Sequence, residues 1–254
     1  MANVGGPNNN QPQPGLQAFQ NAADGARDNT QIKVDRNTGN VGTRSLFGRA
    51  WRAVTPQNSD RRESNRSDIE KFRVALLNQT ALLNQKKDSS ATIESALDRS
   101  LPGRESGNVP LTAGAVRRSI EYVNIRTMTV ASAVDHPQFR NVINEGFAPH
   151  NLDFYLEARD MLGDGADRID VGEFKSVVAR YLDVGGNQEI NIPDTLRENM
   201  TRFAEYTNVP SYSAAQSEYA RHMLQDAQRE VARMMRGNDL TKLKGILLRQ
   251  LDQR

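Results

Sequence analysis

Oxygen-bearing side chains recur through the run LGDGADRIDVGEF, residues 162–174, and these are the types a calcium loop needs. With Glu173 as the bidentate last ligand, the first ligand position falls on Leu162, which has no side-chain oxygen. The fifth position falls on Ala166, and the sixth, where a glycine makes the sharp turn, is Asp167. Ile169 at position eight fits, but a cation that takes about six to eight oxygens is poorly served. Asp160, Asp164, Asp167 and Asp170 therefore read as a solvated acidic turn between two helices, not as a metal site or a carboxylate pair. The three histidines, His136, His150 and His222, lack close metal-ligand spacing. His136 precedes Pro137 at a helix start, where a cap or packing role is expected. Serines and histidines occur without a nucleophile elbow, a phosphate loop or a His-Glu-x-x-His run. With no cysteine, a disulfide, a thiolate zinc site and a cysteine nucleophile are excluded. The sequence thus points to no metal and no cofactor.

The chain spans 254 residues, with 33 basic and 31 acidic side chains for a net charge of +2. The basic residues are scattered and the aromatics are not interleaved with them, so no nucleic-acid partner is expected. Hydrophobic residues make up 37 % and the mean hydropathy is −0.68, so the apolar residues should concentrate in a part of the chain. No run approaches the roughly 20 apolar residues of a membrane span. The N-terminus lacks a charged start followed by an apolar core. The protein is expected to stay in the cytoplasm or to leave by a route that reads no apolar signal.

The polar stretch MANVGGPNNNQPQPG opens a segment, 1–43, whose sizeable apolar residues are only Val4, Leu16, Phe19, Ile32, Val34 and Val41. Composition assigns it to disorder. Residues 44–55, RSLFGRAWRAVT, place Leu46, Phe47, Ala50, Trp51 and Val54 on one helical arc, opposite Arg49 and Arg52. This basic amphipathic helix suits an anionic membrane or a partner groove, and equally the protein's own core. Residues 56–66 read as a polar linker, and Ser67 with Glu70 as a capping box opening a helix to about Gln85. A short helix is expected over 90–101, and the turn-rich 102–110 marks a boundary. Strand alternation is not sustained anywhere. From Leu111 the period is helical, with helices near 112–124, 126–134, 136–145, 149–162, 170–183, 193–206, 211–235 and 238–252. Thr112, Asn191, Ser211 and Asn238 are the expected caps or pre-cap residues. The fold class is all-α, a helical bundle over 111–252 preceded by the segments 1–43 and 44–101.

Three motifs in this bundle occur in the order found in the regulator-of-G-protein-signalling (RGS) domain. The run HPQFRNVINEGFAPHNLDFYLEARDML, 136–162, resembles the middle of that domain through Asn151, Leu152, Phe154, Tyr155 and Asp160. RYLDVGGNQEINIPDTLREN, 180–199, resembles its helix end, loop and E-[VI]-N-[LI]-x-x-x-x-R-E passage, with Glu189, Ile190, Asn191, Ile192, Arg197 and Glu198 in register. The stretch 211–247 resembles its long helix with an early aromatic before an Ala-Gln pair, then a last helix.

The resemblance implies a bundle that binds the switch regions of a heterotrimeric G-protein α subunit and speeds GTP hydrolysis by positioning and preorganisation. By motif match Asn191 orients the water-positioning glutamine of the G protein, and Asn151 is the second loop asparagine. Asp194, Met234, Asn238 and Lys242 fall at partner-contact positions, as does His150, which stands where the family carries an acidic residue. Gly146 and Ala148 replace polar contacts. Asn238 and Lys242 replace an Asp and an Arg, and a lysine does not reproduce an arginine's planar fork. A one-residue slip puts Asp239 in place of Asn238. A second reading therefore stays open, in which the same fold is a protein- or membrane-binding module without catalytic consequence. The layout also looks like that of a bacterial effector delivered into host cells, with 1–43 as secretion signal. In that arrangement 44–85 meets a chaperone or a membrane, Leu46, Phe47 and Trp51 being the membrane contacts.

Overall fold

The computed structural model describes residues 13–44, 58–83, 94–95, 97–99, 107–146, 149–163, 168–207 and 209–253. The chain divides into two compact units, Met1–Thr127 with Arg254 and Met128–Gln253. No helix among the described residues is long and apolar enough to cross a membrane.

The first unit holds helix α1 (Leu16–Ala23), strands β1 (Gln31–Val34) and β2 (Val41–Arg44), and helices α2 (Asn58–Leu83) and α3 (Ala113–Thr127). Its order over 16–44 corrects the assignment of 1–43 to disorder. Four of the apolar residues noted there are buried: Leu16, Phe19, Ile32 and Val34. Phe19 meets Phe72 of α2 with ring centroids 5.3 Å apart. Composition misses this because the partners come from distant sequence. The strands pair antiparallel, from Gln31 opposite Arg44 to Val34 opposite Val41. They too correct the sequence reading, since four residues per strand are too few for alternation to show. The turn is held by Asp35, whose Oδ1 accepts the backbone N–H of Thr38 at 2.7 Å and of Asn37 at 2.9 Å. These bonds, Thr38 first, hold the Asp35 carboxyl below its ordinary range.

Residues 58–66 are not a linker, because α2 starts at Asn58, and Ser67 lies inside the helix instead of capping it. A buried polar network ties this helix to β1. Asp68 accepts the N–H of Val34 at 3.2 Å and pairs with Lys33 at 2.9 Å. Asn65 accepts from Lys33 at 3.2 Å and donates to the carbonyl of Gly107 at 3.0 Å. Buried polar groups need such partners, and here they dock β1 onto α2. Gly107 has φ +67°, and a Cβ there would lie 2.4 Å from the Arg62 carbonyl oxygen. Leu46, Phe47 and Trp51 lie outside the described residues. Of the short helix expected over 90–101, residues 94–95 and 97–99 are described, and all are helical.

The second unit begins at Met128, not at Leu111, because α3 packs on α1 in the first unit. It contains α4 (Val130–Ala133), α5 (Pro137–Asn144), α6 (His150–Met161), α7 (Val171–Tyr181), α8 (Asp194–Tyr206), α9 (Ala214–Gly237) and α10 (Asp239–Asp252). The expected helices from 126 onward are present with ends shifted by a few residues. Their starts carry side-chain caps at Thr129, His136, Asp170 and Ser213. The cap of α9 is thus Ser213, two residues after the expected Ser211. His136 caps as expected, its Nδ1 accepting the N–H of Gln138 at 3.2 Å. Asp170, in the acidic run, accepts the N–H of Glu173 at 2.9 Å and so serves as a helix cap.

Helix α9 runs through the unit and packs on α4, α6, α8 and α10. Its Ala220, Leu224, Ala227 and Val231 are fully buried, a stripe at helical spacing. Phe174 stands edge-on to Phe203 at 5.7 Å and to Tyr212 at 6.2 Å. Phe174→Ala removes a side chain with no exposure and should lower the unfolding free energy by about 3–5 kcal/mol, measured by urea denaturation.

Candidate functional site

The segment between α7 and α8 is irregular in backbone but fixed in place. Its residues alternate: Ile190 and Ile192 are buried, while Glu189, Asn191 and Pro193 face water. The N–H of Ile190 donates to the carbonyl of Tyr181 at 3.0 Å, tying the segment to the end of α7. Arg197, one turn into α8, completes the attachment. It donates to the carbonyls of Leu182 at 2.9 Å and Ile190 at 2.7 Å, and pairs with Glu189 at 3.1 Å. Glu189 in turn accepts the N–H of Gly185 at 2.8 Å, across a turn that Gly185 makes with φ +78°. Asn191 is thereby held outward on a loop whose backbone has little freedom. Asp194, in the first turn of α8, is exposed, where a carboxylate favours the helix N-terminus. Beside it lies a cleft of about 490 Å³ lined by Pro193, Thr195, Leu196 and Asn199 on one wall and Asp226, Arg229 and Glu230 of α9 on the other.

A second cluster forms where α5 ends and α10 begins. Lys242 pairs with Glu145 at 2.5 Å. A Cβ on Gly146 would lie 3.6 Å from Asp239 Oδ1. Burial raises the Asp239 pKa above the ordinary carboxylate value, with Lys242 opposing the shift. It is Asp239, not Asn238, that faces Gly146. Asn238 is exposed, and Met234 is half-buried near the end of α9.

His150 and Asn151 open α6. His150 is half-buried, and its Nδ1 has no hydrogen-bond partner among the described residues. Asn151 is 5 % exposed, and among the described residues its Oδ1 has no hydrogen-bond partner. So the two asparagines singled out in the sequence differ: Asn191 presents its amide to water and Asn151 is buried. The structure joins Glu145 and Gly146 to Asp239 and Lys242. Asn191 stands on the other loop, tied to α7 and α8. Sequence reasoning placed Arg197 and Glu189 in a motif without giving either a task. Their task is structural, and the only available signal was a Glu and an Arg flanking the Ile-Asn-Ile run.

Compared with known families, residues 131–243 match the model of the Regulator of G protein signaling domain. None of the curated proteins and none of the solved structures compared with the chain matches it. The matched segment lies inside the second unit, agrees with its all-α fold, and contains both asparagines and each of His150, Asp194, Met234, Asn238 and Lys242.

Two consequences can be measured. Arg197→Ala strands two carbonyls and a carboxylate and should cost about 3 kcal/mol of stability in denaturant titration, with Arg197→Lys recovering only part. Asp239 has a raised folded pKa, so its contribution to stability is present below the unfolded pKa and lost as pH rises through the folded one. Asp239→Asn should therefore melt at a higher temperature than wild type at pH 7, and the two curves should converge as the pH falls below the carboxylate range.

Proposed function

We propose, from a second unit that carries a Regulator of G protein signaling domain over residues 131–243, that the protein binds the switch regions of a heterotrimeric G-protein α subunit and accelerates its GTP hydrolysis. The observation that carries this reading is the exposed Asn191 on a loop held by Arg197. Stimulating a GTPase takes no covalent step from the partner. It takes donors and acceptors placed in advance where the switch residues must stand, so that no ordering cost falls on the reacting state. An amide between two buried isoleucines suits that task. In this reading its oxygen and nitrogen orient the G protein's glutamine, which positions the attacking water. Asp194, Met234 and the exposed residues at the start of α10 extend the contact.

A second reading has its own support. Lys242 is paired with Glu145 at the surface, and the Asn151 side chain is buried, so the second loop asparagine is not presented to a partner. On that reading the domain is a protein- or membrane-binding module without catalytic consequence. The effector layout, with action inside a host cell and Leu46, Phe47 and Trp51 on an anionic membrane, belongs to the proposal as well. It is supported by the basic amphipathic pattern of 44–55.

Single-turnover GTP hydrolysis by a panel of α subunits separates the two readings. Acceleration by wild type and a loss of about tenfold or more, ~1.4 kcal/mol, in Asn191→Ala is the expected result. No acceleration, with no binding to the GDP, GTP-analogue or GDP–aluminium-fluoride forms of any α subunit, would instead favour the second reading.

A further inference from the structure

The second unit leaves large apolar side chains in water on one side. Val184 is 77 % exposed and Tyr206 81 %. Both border a groove of about 640 Å³ between the C-terminal end of α7 and helix α8, with the buried Val178 and Leu182 at its floor. The charges on its rim are unequal in their commitments. Arg197 is taken up by Glu189 and two carbonyls. Glu198 lies 3.8 Å from Arg202. Asp183 and Glu205 remain, and among the described residues neither carboxylate makes a salt bridge or a side-chain hydrogen bond.

We propose that this groove docks an amphipathic helix of a partner protein, apolar on the buried face and carrying lysine or arginine on its flanks. Val178 of α7 and Leu182 at its C-cap form the apolar floor, and Thr201 and Glu205 of α8 lie beside it, one helical turn apart. An apolar floor between acidic rim residues suits the apolar stripe of an amphipathic helix with cationic flanks. The exposed Tyr206 ring supplies apolar area at a small entropic cost. The unpaired Asp183 and Glu205 select cationic flanks and repel an acidic peptide or an anionic lipid surface. Arg197, which holds the Asn191 loop, lines the same groove, so an occupant rests against the group that positions that loop. Docking itself does not depend on the G-protein reading and is measured with no G protein present.

The test uses the full chain and a fluorescein-labelled synthetic helix of leucine and lysine, followed by anisotropy, with a leucine–glutamate helix as counterpart. Wild type should bind the lysine helix and not the glutamate one. Tyr206→Ser should weaken binding by about tenfold or more, and the double reversal Asp183→Lys, Glu205→Lys should invert the preference. All three side chains are exposed, so the variants should keep the wild-type melting temperature, which is recorded alongside. No binding by wild type, equal binding of the two helices, or unchanged affinity in either variant would overturn the proposal. A failure here leaves the hydrolysis assay unaffected, and failure of that assay leaves this binding measurement unaffected.

Discussion

One guanidinium organises the candidate site. Arg197 serves the carbonyls of Leu182 and Ile190 and the carboxylate of Glu189 from a side chain almost withdrawn from water. Taking a charge out of water is costly, and the cost is offset only when its donors meet acceptors in good geometry. Here three acceptors belong to one loop, so the same contacts that satisfy the charge also remove the loop's freedom. An irregular segment gains in this way the definition that helices draw from their own hydrogen bonds. A lysine, with one point charge and no fork, cannot span the same three partners.

The two units reach stability by different routes. The second is built from helices whose buried stripes meet across short connections, with α9 as the shared wall. The first draws on a short helix, a two-stranded hairpin and two longer helices, and joins them with a small apolar cluster and a buried polar network. Such a network is demanding, since each member relies on the others for its partner. Asp68 illustrates this: it neutralises Lys33 and also accepts the N–H of Val34 in the adjacent strand.

This contrast explains what could be read from the residues alone. Helical periodicity is local, so α4 to α10 were legible to within a few residues, and the helix start at His136 followed from the proline after it. The all-α class and the family resemblance followed from the same stretch. The first unit was less legible because its contacts are distant in sequence. Phe19 looks isolated until Phe72 is beside it, and Asn65 looks like part of a polar linker until Gly107 and Lys33 surround it. Within the site, the position of Asn191 was legible, but the reason for its rigidity was not. The acceptors that hold Arg197 are largely backbone carbonyls, which leave no mark in the identity of Leu182 or Ile190. The burial of Asn151 and the pairing of Lys242 with Glu145 depend in the same way on packing between elements.

The alternation from Glu189 to Pro193 has only two settings, because adjacent extended residues point to opposite sides. Inserting or deleting one residue there would turn the isoleucines to water and drive the asparagine amide into the core. Divergence in this stretch is therefore confined to exchange of side chains, with the outward position free to vary in chemistry while the residue count stays fixed. The preceding turn around Val184 is under no such parity constraint and can lengthen or shorten more freely. Among relatives of this chain, indels should accordingly gather before Glu189 and be missing between Glu189 and the start of α8.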